Sequence, residues 1–293
     1  MLQLIFIATL LFTGCQKEDT SVNTIAAAKP ATSAISVSSL ASLQSAPVAF
    51  FDASLDQKKN LSSYATVKGD PYSAMVINPN RISVVNDPVF GSKRKVMLMD
   101  VRTQDNGGVT ENPRAQVQTP MNYVEGQTVY IGFSVRFTQS FWTYFLTFSE
   151  LYGAPYAGTS PFRLSIQGSN IVASATNSGK QTNLWQEPMQ AGLWYDFVYC
   201  ETLSHDALKG SVQVWLRKQG ETTFKQVLTL TKIPTVTAAN LTGPNYHKLA
   251  CYYDKENTFV DASKKTRVSE IKMYLGNHKV GSSFDQVAPT LIK

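Results

Sequence analysis

Apolar residues in this chain recur at every second position. From Val129 to Phe137, the residues Val129, Ile131, Phe133, Val135 and Phe137 fall on one side, with Tyr130, Ser134 and Arg136 opposite. Phe162, Leu164 and Ile166 alternate with Arg163, Ser165 and Gln167. Val212, Val214 and Leu216 alternate with Gln213, Trp215 and Arg217, and Ile271, Met273 and Leu275 with Glu270, Lys272 and Tyr274. No long stretch follows a helical period. Between the strands stand the turn signals Asp105-Asn-Gly-Gly108, Asn177-Ser-Gly179, Leu241-Thr-Gly-Pro244 and Leu275-Gly-Asn277. The pattern predicts an all-β chain folded as an antiparallel sandwich, of which the jelly roll, with two packed sheets, is one form.

The N-terminal segment reads differently. An apolar run from Leu4 to Phe12 ends in Phe12-Thr-Gly-Cys15, long enough for a signal peptide and too short to span a bilayer. The ending resembles a bacterial lipobox, which implies that residues 1–15 are a lipoprotein signal and that Cys15 is acylated. The match departs in one respect, since no Lys or Arg precedes Cys15. Gln16-Lys17-Glu18-Asp19 resembles the export signal of surface lipoproteins in the Bacteroidota, which implies an outer-membrane protein exposed at the cell surface and held only by its lipid. Residues 16–47 are rich in Ser, Ala and Thr and too poor in apolar bulk to offset their ordering entropy, so a flexible tether is expected. Residues 48–293 then form one domain, expected as a monomer.

Charge narrows the partner. Lys and Arg number 27 against 21 Asp and Glu, and residues 16–47 are balanced, so the net +6 belongs to the globular part. A basic, aromatic-rich exported domain suits a polyanion such as an acidic polysaccharide, although such a charge also serves solubility. Nucleic acid is not expected: beyond Lys93-Arg94-Lys95 there is no basic cluster and no binding motif. His205, His247 and His278 are scattered without metal-ligand spacing, so no metal or cofactor is expected, and nothing in the residues points to calcium. Cys200 and Cys251 suit either a disulfide or two buried thiols.

One strand carries the sharpest functional signal. In Tyr246-His-Lys-Leu-Ala-Cys-Tyr-Tyr-Asp254, alternation puts Tyr246, Lys248, Ala250 and Tyr252 on one face and His247, Leu249, Cys251 and Tyr253 on the other. Two phenols and an ammonium around a small residue form a ladder that a hydrophobic core does not need. An edge strand with a solvated face satisfies the same alternation. The ladder resembles the Tyr-Phe-Lys-Ala-Gly-x-Tyr-x-Gln strand of alginate lyases and the related strand of heparin-lyase-like polysaccharide lyases. Further segments are similar in order: Asn112-Pro-Arg-Ala-Gln-Val117, Tyr130-Ile-Gly-Phe-Ser-Val-Arg-Phe137, Trp194-Tyr-Asp-Phe-Val198 and Val212-Gln-Val-Trp-Leu216. The resemblance implies a concanavalin-A-like jelly roll with a concave groove for acidic polysaccharide.

It also implies a chemistry, β-elimination beside a uronic acid. Tyr252 takes the catalytic tyrosine position, Lys248 that of the groove lysine, and Arg114, Gln116 and Tyr246 those of substrate-binding groups. An ordinary phenol titrates near 10 and needs cations to act as a base, a role expected of Lys248 and Arg114. Where the family has Gln-x-His-Gly, this chain has Glu150-Leu-Tyr152-Gly153. Tyr152 is then a candidate base. Glu150 is either catalytic or salt-bridged to Arg114, since a bare carboxylate repels a uronate. A hydrolase needs two flanking carboxylates, and the Glu-x-Asp-x-Glu strand of laminarinase-like jelly rolls is absent from the sequence. A non-catalytic glycan-binding lipoprotein is the alternative, because binding needs only the cations and aromatics such as Trp142, Tyr156 and Trp185.

Overall fold

The computed structural model describes residues 34–35, 51–53, 61–64, 66–68, 81–106, 112–119, 123–153, 160–177, 180–236 and 245–291, with the side chains of 34–35, 66–68, 106, 152–153 and 177 left aside. The signal peptide with Cys15, nearly all of the tether and Tyr156 lie outside the described residues. The strands are β1 (Ala34–Ile35), β2 (Phe51–Asp52), β3 (Thr66–Lys68), β4 (Ile82–Asp87), β5 (Gly91–Arg102), β6 (Arg114–Gln118), β7 (Thr128–Phe137), β8 (Trp142–Gly153) and β9 (Phe162–Gly168). They continue with β10 (Asn170–Asn177), β11 (Lys180–Pro188), β12 (Trp194–Thr202), β13 (Ser211–Lys218), β14 (Phe224–Thr231), β15 (Asn245–Tyr253), β16 (Thr258–Phe259) and β17 (Glu270–Gly281).

These strands form two antiparallel sheets. The first runs β1-β14-β13-β12-β7-β17-β5-β4, with β2 also on β17. The second runs β11-β10-β9-β8-β15-β6-β3, with β16 on β8. The two-residue β1 pairs with β14 from within the segment read as a tether. The predicted strands appear where alternation put them, and their apolar faces meet between the sheets. Ile131, Phe133, Val135, Phe197, Val214 and Met273 from the first sheet pack against Val117, Phe148, Leu164, Leu249 and Tyr253 from the second. Stacked and edge-on rings fill the centre, Phe133 on Phe197 at 5.6 Å and Phe137 on Phe148 at 5.7 Å.

Two strands change face midway. Leu275-Gly-Asn277, expected as a turn, is a bulge inside β17, where the pairing with β7 slips between Gly276 and Lys279. Asn277 adopts φ 54° and donates from Nδ2 to Ser134 Oγ at 2.9 Å. Gly-Asn suits the left-handed conformation that turns and bulges share, so the same dipeptide serves either. Before the bulge Ile271, Met273 and Leu275 point inward; after it His278 and Val280 do. β8 shifts similarly, from Leu146 and Phe148 to Ser149 and Leu151.

The outer face of the first sheet is partly covered by the short helix α1 (Phe284–Val287). Its Val287 carbonyl oxygen lies 2.0 Å from where a Cβ on Gly132 would stand, so only glycine permits that approach. Trp215 packs against Phe284 there at 5.4 Å. Cys200 belongs to this outer cluster and Cys251 to the core between the sheets, and both are buried free thiols.

Candidate active site

The outward face of the second sheet reads as rungs across neighbouring strands. One rung joins Arg163 of β9, Glu150 of β8, Lys248 of β15 and Gln118 of β6, each opposite the next. A second joins Ser165, Thr147, Tyr252 and Arg114 across the same four strands. Between them lies Gln116 opposite Ala250. Alternation puts these side chains outward because their neighbours are core residues: His247, Leu249, Cys251 and Tyr253 are each 0% exposed. Of the expected site residues, Arg114, Gln116, Glu150, Tyr246, Lys248 and Tyr252 therefore share three adjacent strands. The backbone of Tyr152 stands opposite Tyr246, and its side chain lies outside the described residues.

Electrostatics differ from expectation at Glu150. Its ion pair is with Lys248, not Arg114, and both side chains are buried. Strand order explains this. β15 separates β8 from β6 and Arg114 stands on the Tyr252 rung rather than the Glu150 rung, while Lys248 is the direct neighbour of Glu150. Along β15 itself, the backbones of Lys248 and Tyr252 stand four residues apart, about 13 Å in an extended strand. Arg114 instead stands over the Tyr252 ring, its guanidinium carbon 4.4 Å from the centroid. Phe145 meets the same ring edge-on at 5.2 Å.

Arg163 is a functional candidate that the sequence reading left among outward residues. It donates from Nη2 to Gln181 Oε1, and its Nε has no hydrogen-bond partner among the described residues. Burial pulls its guanidinium below the ordinary arginine value, while the charges of Glu150 and an ionised Tyr252 pull it back. The phenol thus lies within electrostatic reach of a cation from each side, Arg114 and Arg163. Chemically, the face can hold an anion between two guanidiniums, stabilise a phenolate, and offer the buried amide of Gln116. Glu150 is the one carboxylate among these residues.

The two tryptophan candidates stand apart from these rungs. Trp185 packs against the core. Trp142 lies beneath the Lys264 ammonium at 3.7 Å, beside Phe259. Among the described residues no cluster of three or more His, Cys, Asp or Glu side chains is placed to hold a metal.

The fold has counterparts among solved structures. The endo-β-1,4-glucuronan lyase of the fungus Trichoderma reesei superposes with a TM-score of 0.59 at 15% identity, covering 80% of this chain and 97% of that one. The catalytic domain of a glycoside hydrolase family 131 protein from Coprinopsis cinerea gives 0.51 at 12% identity, covering 83% and 98%. The family 7 alginate lyase A1-II′, solved with substrate, gives 0.50 at 12%, covering 79% and 97%. Lyases and a hydrolase share this architecture, so such likeness establishes the jelly-roll-like sandwich alone. No curated protein matches the chain. A family model described as polysaccharide lyase matches residues 57–269. On that match, over most of its length, the chain belongs to the polysaccharide lyase family.

Proposed function

We propose that this lyase cleaves an acidic, uronate-containing polysaccharide by β-elimination on the outward face of the second sheet, as a lipoprotein anchored through Cys15 at the outer-membrane surface. In this reading Arg114, Arg163 and Gln116 bind the uronate carboxylate and draw charge from C5. A phenolate takes the C5 proton, the C4–C5 double bond forms, and the C4–O4 bond breaks. The departing O4 collects a proton from a phenol. Tyr252 performs the proton transfer, Tyr152 is the second phenol available, Lys248 holds Glu150, and Tyr246 lines the face. The observation that carries the reading is Arg114 over the Tyr252 ring with Arg163 in reach of the same phenol. Glucuronan is the first substrate to try, given the glucuronan lyase among the structural neighbours. The test is ultraviolet absorbance of unsaturated uronate with glucuronan, alginate, heparin and pectin. Product from at least one polymer is expected, and none from any of them sinks the reading.

A second reading is favoured by the Lys248–Glu150 ion pair, which occupies one rung and ties up its cation. In that reading the face binds glycan without cleaving it. Saturable binding of a uronan with no absorbance change distinguishes it.

A further inference from the structure

We propose that the outward face of the first sheet carries a second carbohydrate subsite, a pocket that takes the carboxylate of a single uronate unit. The proposal builds on the acidic substrate inferred above and concerns the opposite side of the sandwich. There a pocket of about 50 Å³ is lined by Phe90, Arg94, Trp194, Asp196, Arg217 and Gln219, with Thr290 and Leu291 at its rim. That volume takes a carboxylate group, with the sugar ring resting outside at the rim.

The site is built around Arg94, which is 3% exposed. Its Nε donates to Asp87 Oδ2 at 2.5 Å, and its guanidinium lies 4.2 Å over Trp194 and 5.2 Å from Phe90. Its Nη2 has no hydrogen-bond partner among the described residues. An unmet donor on a buried guanidinium is costly, and a planar fork of N–H groups matches a carboxylate. The nearby acids are already engaged. Asp87 Oδ1 accepts from the Val89 and Phe90 amides at 2.7 and 3.1 Å, and from Trp194 Nε1 at 3.4 Å. Asp196 accepts from Ser134 Oγ at 2.6 Å and from Arg217 Nε and Nη2 at 3.1 and 2.6 Å. Arg217 Nη2 also donates to the Pro289 carbonyl at 2.5 Å, which pins the chain beside the rim. The ionised lining is Arg94, Arg217 and Lys218 against Asp196, with Asp87 behind and Lys218 also paired to Glu187. Phe90, half-buried, supplies an apolar wall for the C–H face of a sugar.

A polymer long enough to reach both faces is held at two points, which raises its effective concentration at the first. The test titrates the full chain with sodium glucuronate while following the Trp194 indole N–H by NMR, with sodium chloride at equal ionic strength as control. A saturable shift is expected with glucuronate alone. Arg94→Lys keeps a charge for Asp87 and loses the fork, so it should weaken the effect at least tenfold without altering turnover on glucuronan. Phe90→Ala removes the apolar wall and no charge, and should weaken it similarly if Arg94→Lys does not fold. An unmoved indole, an equal shift with chloride, or a shift insensitive to the variants overturns the subsite. Where unsaturated product forms but the indole is unmoved, the subsite alone fails. A variant-sensitive shift without product upholds the subsite and counts against cleavage.

Discussion

Glu150 and Lys248 determine each other's behaviour. Both are buried, so removing either breaks a buried ion pair, which costs far more than breaking an exposed one. Glu150→Gln and Lys248→Met should each lower stability by about 3 kcal/mol, and the double variant by clearly less than their sum. Urea unfolding of the four proteins checks this; additive losses would show that the pair is not coupled. Tyr252 calls for a different measurement. Tyr252→Phe keeps the ring under Arg114 and removes only the oxygen, so turnover should fall by about two to four orders of magnitude with little change in KM. Unaltered turnover excludes it as the proton carrier. Lys248 and Tyr252 were legible in the sequence because both stand on the ladder face of one strand. The partner of Glu150 was not, since it depends on which strand lies beside β8. Arg163 was visible only as an outward residue until the sheet order put it opposite Glu150.

At the scale of elements, alternation located the strands well and their irregularities poorly. Nothing in Gly276-Asn277 distinguishes a bulge from a turn, yet the bulge is what turns His278 inward. There, His278 Nε2 and His247 Nδ1 lie 2.7 Å apart, joining β17 of one sheet to β15 of the other. The chain of contacts extends from His278 Nδ1 to Tyr64 OH at 3.1 Å and from His247 Nε2 to Ser149 Oγ at 2.9 Å. One ring must donate and the other accept, so the contact is lost once both rings are protonated. Burial holds His278 down to about 3 and His247 well below its ordinary value. Since both folded values are depressed below 6.5, the stability they contribute is intact above pH 6.5 and is lost as pH falls toward 3. The urea midpoint should drop across that window. In His278→Gln, which keeps hydrogen bonding and cannot take the charge, the drop should be shallower. An equally steep loss in the variant would place the acid sensitivity elsewhere.

For the molecule as a whole, an opposite dependence comes from Glu201. It is fully buried on β12 between Val129 and Val212, and neither carboxylate oxygen has a hydrogen-bond partner among the described residues. Desolvation raises it to about 8 from 4.5. With the folded value raised, its contribution is full below pH 4.5 and is lost as pH climbs through 8, on the order of 5 kcal/mol in total. Together with the histidines this predicts a stability maximum in mildly acidic solution. Glu201→Gln should flatten the alkaline limb and leave the acid limb standing; a variant that still weakens toward pH 8 would clear Glu201 of that role. At the cellular level, Cys15→Ala should release the protein from the membrane fraction, and a variant that stays bound removes the lipid anchor from the proposal. Finally, the four strands of the candidate active site are β6, β8, β9 and β15, drawn from both ends of a long stretch between residues 114 and 252. Contacts so distant in sequence close slowly and late, after much chain entropy has been lost. The site therefore has no partial form. An incompletely folded chain should be inactive, and the recovery of activity on refolding should lag the recovery of β-structure, so that catalysis serves as a clock for completion of the fold.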